Sequence, residues 1–257
     1  MLVINCVPNN GGFYNTPEFI ESVKNTFSEL AYRDRNCTSI AMWEASIGDF
    51  TAKDGLTDDL IKECIEIVKS IFPHGKAPLI IGDTSTRPET AATLGYDIAY
   101  CSYNQKTRLP ENIPGMPAYL IGSFGLDGYK YDKKDKKMSY EQKMAEQAWA
   151  YQFILNQNAT HENFIGAIAA QDVDYSNGKD KMVMGLMNEY RLPKTAYYFF
   201  QSQDIAAKPM VYIPHPKLAT LIDNMQVYTN CDTIKVYIND DLTATYPVKK
   251  GATTPYY

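Results

Sequence analysis

At 257 residues the chain is long enough for one large domain, or a medium domain with a small appendage, and it can bury a real core. Hydrophobic residues make up 45% and charged residues 21%, and a formal net charge of -5 argues against nucleic acid or an anionic membrane as the main partner. A neutral ligand suits this balance better.

Tyrosine is plentiful at 20 copies. It offers a stacking face and a hydroxyl, as sugar sites need, although amphipathic packing is the commoner reason for it. The five cysteines, Cys6, Cys37, Cys64, Cys101 and Cys231, are widely spaced with no CxxC pair, so neither a zinc knuckle nor a disulfide framework is signalled. Four of them sit among apolar residues and are expected to pack as small hydrophobes. His74, His161 and His215 lie in loop-like sequence without metal-ligand spacing, so no metal and no cofactor are expected. No basic-then-apolar leader opens the chain and no run approaches transmembrane length, which leaves the compartment unknown.

In chain order, Leu2 to Val7 is a short apolar run ended by Pro8 and an NNGG turn, and it reads as a buried strand. Thr16 and Pro17 open a helix whose Phe19, Ile20, Val23, Phe27 and Leu30 recur at helical spacing, with Arg33, Asp34 and Arg35 at its close. Ser39 to Ala45 is the next strand. Thr57 to Phe72 is a second helix, with Leu60, Cys64, Ile67 or Val68 and Ile71 in one stripe and Asp58 and Asp59 complementing its dipole. Strands follow at Pro78 to Gly82, Asp97 to Ser102 and Met116 to Gly122. Tyr129 to Lys137 is a solvated loop, because its aspartates interrupt the basic run.

Ser139 with Gln142 forms a capping box for a helix through Met144, Ala148, Tyr151 and Leu155. Phe164 to Ala170 is a sixth strand. Six short apolar strands alternating with helices predict a parallel sheet with crossover helices. A full eight-stranded barrel needs two more strands, so the sequence reads as the later three quarters of a barrel, with Pro193 to Gln203 as its last outer helix. After Asp204, four short alternating segments read as antiparallel strands, with an Ile-Asn-Asp-Asp turn suited to a hairpin. A boundary is placed near Ala206. That gives an incomplete TIM-type barrel at 1–205 and a truncated β-sandwich segment of immunoglobulin-like type at 206–257.

RDRNCTSIAMWEAS, Arg33 to Ser46, resembles a block of glycoside hydrolase family 2, the β-galactosidase, β-glucuronidase and β-mannosidase family. YLIGSFG, GLMNEYRLPKTAYYFFQSQ, and MVYI with VYTNCDTIKVYIND resemble later blocks of that family in the same order. The resemblance implies a retaining β-glycosidase with no cofactor, in which one glutamate protonates the leaving oxygen and another, about 5 Å away, attacks the anomeric carbon.

Set against that pattern, the acid/base position is Asp49, one methylene short. The asparagine that would hold the sugar 2-hydroxyl is replaced by Gly48. The nucleophile position falls on Ser123, which cannot form a glycosyl ester and has no evident activating base. The aromatic floor of the last family strand is replaced by Ala169 and Ala170. Tyr103 matches the tyrosine accompanying the nucleophile. Asp127, Asp172 and Asp174 are the carboxylates that could substitute, and Asp127 and Asp174 join Gly48 and Tyr103 as expected substrate-binding positions. Glu44 is expected to be a buried structural partner of Arg33 or Arg35.

Three readings follow. The chain is a weak β-glycosidase, a non-catalytic relative that binds a β-linked glycan or serves as a scaffold, or a fragment completed by self-association or a partner chain. Neither nucleic acid nor a membrane is an expected partner.

Overall fold

The computed structural model describes residues 2–7, 16–45, 58–72, 77–84, 90–102, 115–124, 139–176, 181–214 and 226–248. Six strands form one sheet in sequence order: β1 (Val3–Cys6), β2 (Ile40–Glu44), β3 (Leu79–Asp83), β4 (Ile98–Ser102), β5 (Tyr119–Phe124) and β6 (Phe164–Ala169). The pairs from β1–β2 through β4–β5 are parallel. Helices α1 (Pro17–Asp34), α2 (Asp58–Ile71), the short α3 (Ala91–Leu94) and α4 (Tyr140–Asn158) supply crossovers. Sequential parallel neighbours joined by helices make an incomplete TIM-type barrel sheet, as the alternating pattern predicts.

Contacts divide the chain into two compact units, one made of Met1–Ser102, Leu109–Gly122 and Asn163–Gly166, the other of Tyr103–Arg108, Ser123–Glu162 and Ala167–Tyr257.

In the first unit α1 begins where Thr16 accepts the Phe19 amide and Pro17 presets the backbone. Its Val23, Phe27 and Ala31 are buried. Fully burying a side chain such as Phe27 is worth about 2–3 kcal/mol over leaving it in water. α2 buries Leu60, Cys64, Ile65 and Val68, so of the two alternatives at the third stripe position Val68 is the buried one. The two helices pack together, and Lys24 pairs with Glu63 across them. On one face of the sheet Trp43, Ile80, Ala99 and Ile121 are fully buried. A second cluster joins Ile81, Ile98 and Leu120 to the half-buried Ile4, Met42, Tyr100 and Ala118.

In the second unit α4 packs against α5 (Thr195–Gln203). The α4 capping box is present in both directions, Gln142 N–H to Ser139 Oγ and Ser139 N–H to the Gln142 side-chain Oε1. Two short pairs follow, β7 (Tyr175–Ser176) with β8 (Lys181–Met182) and β9 (Val211–Tyr212) with β10 (Tyr228–Thr229), both antiparallel. Tyr198 of α5 stacks on Tyr212 with centroids 4.0 Å apart, and Phe199 meets Tyr228 edge-on at 5.5 Å. The last hairpin joins β11 (Thr233–Ile238) and β12 (Asp241–Pro247). Asn239 and Asp240 both have positive φ, 49° and 69°, the requirement of a type I′ turn. These antiparallel segments are the expected sandwich-like continuation.

The cysteines differ from expectation. Only Cys64 and Cys101 are buried, while Cys6 and Cys37 are exposed and Cys231 is intermediate. Cys6 is the last residue of β1, and Cys37 lies between α1 and β2, so neither sits under a helix.

Candidate functional site

In a parallel α/β sheet chemistry collects beyond the C-terminal strand ends. β2 ends at Glu44, in register with Cys6 on β1 and Ile81 on β3. Arg33 and Arg35, the cations expected beside Glu44, are engaged with their helix neighbours at the end of α1. Arg33 Nε and Nη2 donate to the two Asp34 oxygens at 2.7 Å each, because the planar guanidinium matches its neighbour's carboxylate. Arg35 Nη1 donates to the Tyr32 carbonyl at 2.6 Å, and its guanidinium lies 3.9 Å over the Tyr32 ring. Asn5 Nδ2 donates to Asp34 at 2.9 Å, tying β1 to this helix end. The Arg33 hydrogen bond, helped by Asn5, holds the Asp34 carboxyl below the usual range against the opposing effect of burial.

β3 ends at Asp83. The following Thr84 is 2% exposed, and its N–H and hydroxyl both bond the Tyr100 carbonyl, at 2.8 and 3.2 Å. Its Oγ1 also lies 3.4 Å from Cys101 Sγ. Burial pushes the Cys101 thiol up to about 11, with the Thr84 contact only partly opposing it. Cys101 is therefore a packed thiol and not a nucleophile. On β5, a Cβ added at Gly122 would fall about 1.8 Å from the Tyr100 ring. Glycine is what lets that ring lie across the strand immediately before Ser123.

A second constellation gathers in the GLMNEYRLPK segment. Lys194 Nζ donates to both Asp174 oxygens, at 2.9 and 3.1 Å, and to the Val183 carbonyl at 3.2 Å. Asp174 also accepts the Gly185 N–H at 2.7 Å. Both charged side chains are almost wholly buried, 4% and 2% exposed. Burial raises the Asp174 carboxyl and lowers the Lys194 ammonium, and their mutual hydrogen bonds only partly oppose this. The pair is thus a clasp, held by satisfied hydrogen bonds more than by Coulomb gain. From α4, Gln147 Nε2 reaches the Met184 and Gly185 carbonyls at 3.0 and 3.2 Å, and the Tyr151 hydroxyl reaches the Met184 carbonyl at 3.2 Å. Gly185 admits no Cβ, which would lie 2.4 Å from the backbone of Val173 and Asp174.

Comparison with known proteins places this architecture. No family model matches the chain. The β-galactosidase of Thermoanaerobacter pseudethanolicus is 26% identical over 238 residues, covering 84% of this chain and 29% of that protein. A solved β-glucuronidase from glycoside hydrolase family 2 superposes with a TM-score of 0.60 at 20% identity, over 95% of this chain and 26% of the other. An FMN-binding β-glucuronidase from Facaelibacterium prausnitzii gives 0.67 at 16% identity, over 92% and 40%. The chain shares the fold of part of these β-glucuronidases. The chain spans under a third of the length of its curated β-galactosidase relative.

Along the barrel strands, Ser123 is the second-to-last residue of β5. Gly48, Asp49, Tyr103 and Asp127 lie outside the described residues. Asp174 is described, and its oxygens are taken by Lys194 and Gly185. Asp172 is exposed, with its carbonyl accepting the Met187 N–H at 2.8 Å. Among the described residues no group of three or more His, Cys, Asp or Glu could hold a metal ion, and no helix is long and apolar enough to cross a membrane. Lys194 was not singled out from the sequence as a partner of Asp174. The signal was present in the GLMNEYRLPK block, where a lysine directly after proline sits at the N-cap of a helix and ties it to Asp174, the residue just before β7.

Proposed function

We propose that the chain is a family 2-like, β-galactosidase-like domain for β-linked glycans in which both catalytic carboxylate positions are substituted, so that turnover is weak or absent. The observation that carries this reading is Ser123 at the end of β5, where the resemblance puts the nucleophilic glutamate. A serine hydroxyl lacks the carboxylate needed for the glycosyl ester of the retaining reaction. On this reading Asp49 occupies the acid/base position and would have to bring its shorter side chain to the leaving oxygen, where a misplacement near 1 Å costs about a hundredfold. Gly48, Tyr103 and Asp127 would line the sugar site, with the barrel part at 1–205 and the sandwich part at 206–257. Aryl β-galactoside and β-glucuronide assays test it. Turnover should be absent or slow, and any slow turnover should vanish in Asp49→Ala. Robust turnover unaffected by that substitution would overturn the assignment.

A second reading, a non-catalytic scaffold or glycan-binding relative completed by a second copy or partner chain, is favoured by the sheet itself. Among the described residues β1 pairs on one side only, with β2. An edge of this kind templates further strands. Light scattering after size-exclusion chromatography tests this reading, because a strict monomer at high concentration would remove its support.

A further inference from the structure

Helix α4 has two apolar faces. Met144, Ala148, Tyr151, Ile154 and Leu155 are buried, whereas Trp149 and Phe153 lie on another face and are 55% and 41% exposed. Spaced i, i+4, their rings stack with centroids 5.2 Å apart and planes 22° from parallel. They line a groove of about 500 Å³ together with Gln152, Asn156, Gln157 and Gln226. Every other lining side chain among the described residues is a carboxamide without a formal charge.

Gln226 Nε2 donates to Gln152 Oε1 at 2.9 Å. That bond uses one end of each amide, and the Gln152 amino group and Gln226 carbonyl have no partner among the described residues. Asn156 Oδ1 is buried without a hydrogen-bond partner. A buried orphan acceptor costs about 1–3 kcal/mol, so it calls for a donor.

We propose that this groove is a second saccharide-binding site, which takes a neutral sugar by laying its C–H face on the Trp149–Phe153 stack. A pyranose has an apolar face to cover an aromatic ring and hydroxyls around its edge, each able to donate and accept. Carboxamides, which also donate and accept, match those hydroxyls without the desolvation cost of a charge. Among the described lining residues no cation is present to pair with a phosphorylated or carboxylate ligand. The orphan acceptor and the amide rim disfavour a purely apolar one. The site does not depend on the reaction at Asp49 and Ser123.

The chain has two tryptophans, and Trp43 is fully buried, so iodide quenching of the native protein reports on Trp149. β-Linked galactotetraose and cellotetraose, titrated to tens of millimolar, should protect Trp149 from iodide and shift its emission to the blue. Protection should be the same in Asp49→Ala. Affinity read from saturation transfer to the sugar protons should fall by about tenfold in Trp149→Ala and in Phe153→Ala. Both substitutions are at exposed positions, and circular dichroism verifies that the variants fold. Three results would overturn the proposal: no protection by either tetrasaccharide, saturation transfer unchanged in both variants, or protection of Trp149 that rises with protein concentration in the absence of sugar. The last would mark the groove as a protein contact.

Discussion

Gly185 and Gly122 look alike in sequence, but their surroundings differ. A Cβ at Gly185 would press on the Val173 and Asp174 backbone, which has nowhere to go without breaking the Asp174 and Lys194 clasp. A Cβ at Gly122 would press on the far end of a half-buried tyrosine side chain and not on backbone. Gly185→Ala should therefore cost about 3 kcal/mol and Gly122→Ala about 1 kcal/mol, compared by urea denaturation. The Asp34 carboxylate gives a pH signature at the same scale. Its folded pKa is depressed, so its contribution is complete above the unfolded value of about 4 and disappears as pH falls through the lower folded value. Wild type should exceed Asp34→Asn in urea midpoint at pH 7, and the gap should close as the pH is taken from about 4 toward 2. A gap independent of pH would mean the carboxylate charge is not what Arg33 and Asn5 hold.

Among the elements, α4 depends most visibly on a local device. Its first turn is satisfied by the reciprocal Ser139 and Gln142 bonds. Ser139→Ala should lower stability by about 1 kcal/mol, measurable as a shift in thermal midpoint, while Gln142→Ala should lower it less. Such devices were legible in the sequence because they are local. The Ser-x-x-Gln spacing, Thr16 before Pro17 and the Asn-Asp turn all act within a few residues, and each forms as read. Strand identity was legible for a similar reason, since short apolar runs between helices have few other uses, although the strand bounds moved by a residue or more. What the sequence could not display was pairing across distance. Asp174 finds Lys194 20 residues away, and Asn5 finds Asp34 29 residues away. The second face of α4 escaped notice because Trp149 and Phe153 fall outside the stripe that predicts burial, and an off-stripe aromatic pair has no signature until the groove around it is seen.

For the molecule as a whole, the incomplete barrel was readable from short apolar strands alternating with helices, and the sheet has that architecture. The candidate chemistry was readable only as substitutions at expected places, Asp49 and Ser123. Of the residues assigned to it, Asp174 has the clearest structural role, and that role is internal.

Four of the five cysteines belong to the first unit, two open to solvent and two sealed beneath helices or strands. That arrangement makes the barrel piece its own clock for local opening. A thiol reagent should modify the exposed Cys37 and Cys6 first, Cys6 slowed because burial and the nearby Glu44 raise its thiol, whereas Cys64, whose thiol burial pushes up to about 12, and Cys101 should react only as fast as the surrounding structure opens. Counting adducts by mass against time would then give the opening free energy of the sheet and of the α1–α2 layer separately, without adding any probe. If all four thiols react at one rate in native buffer, Cys64 and Cys101 are not shielded as described.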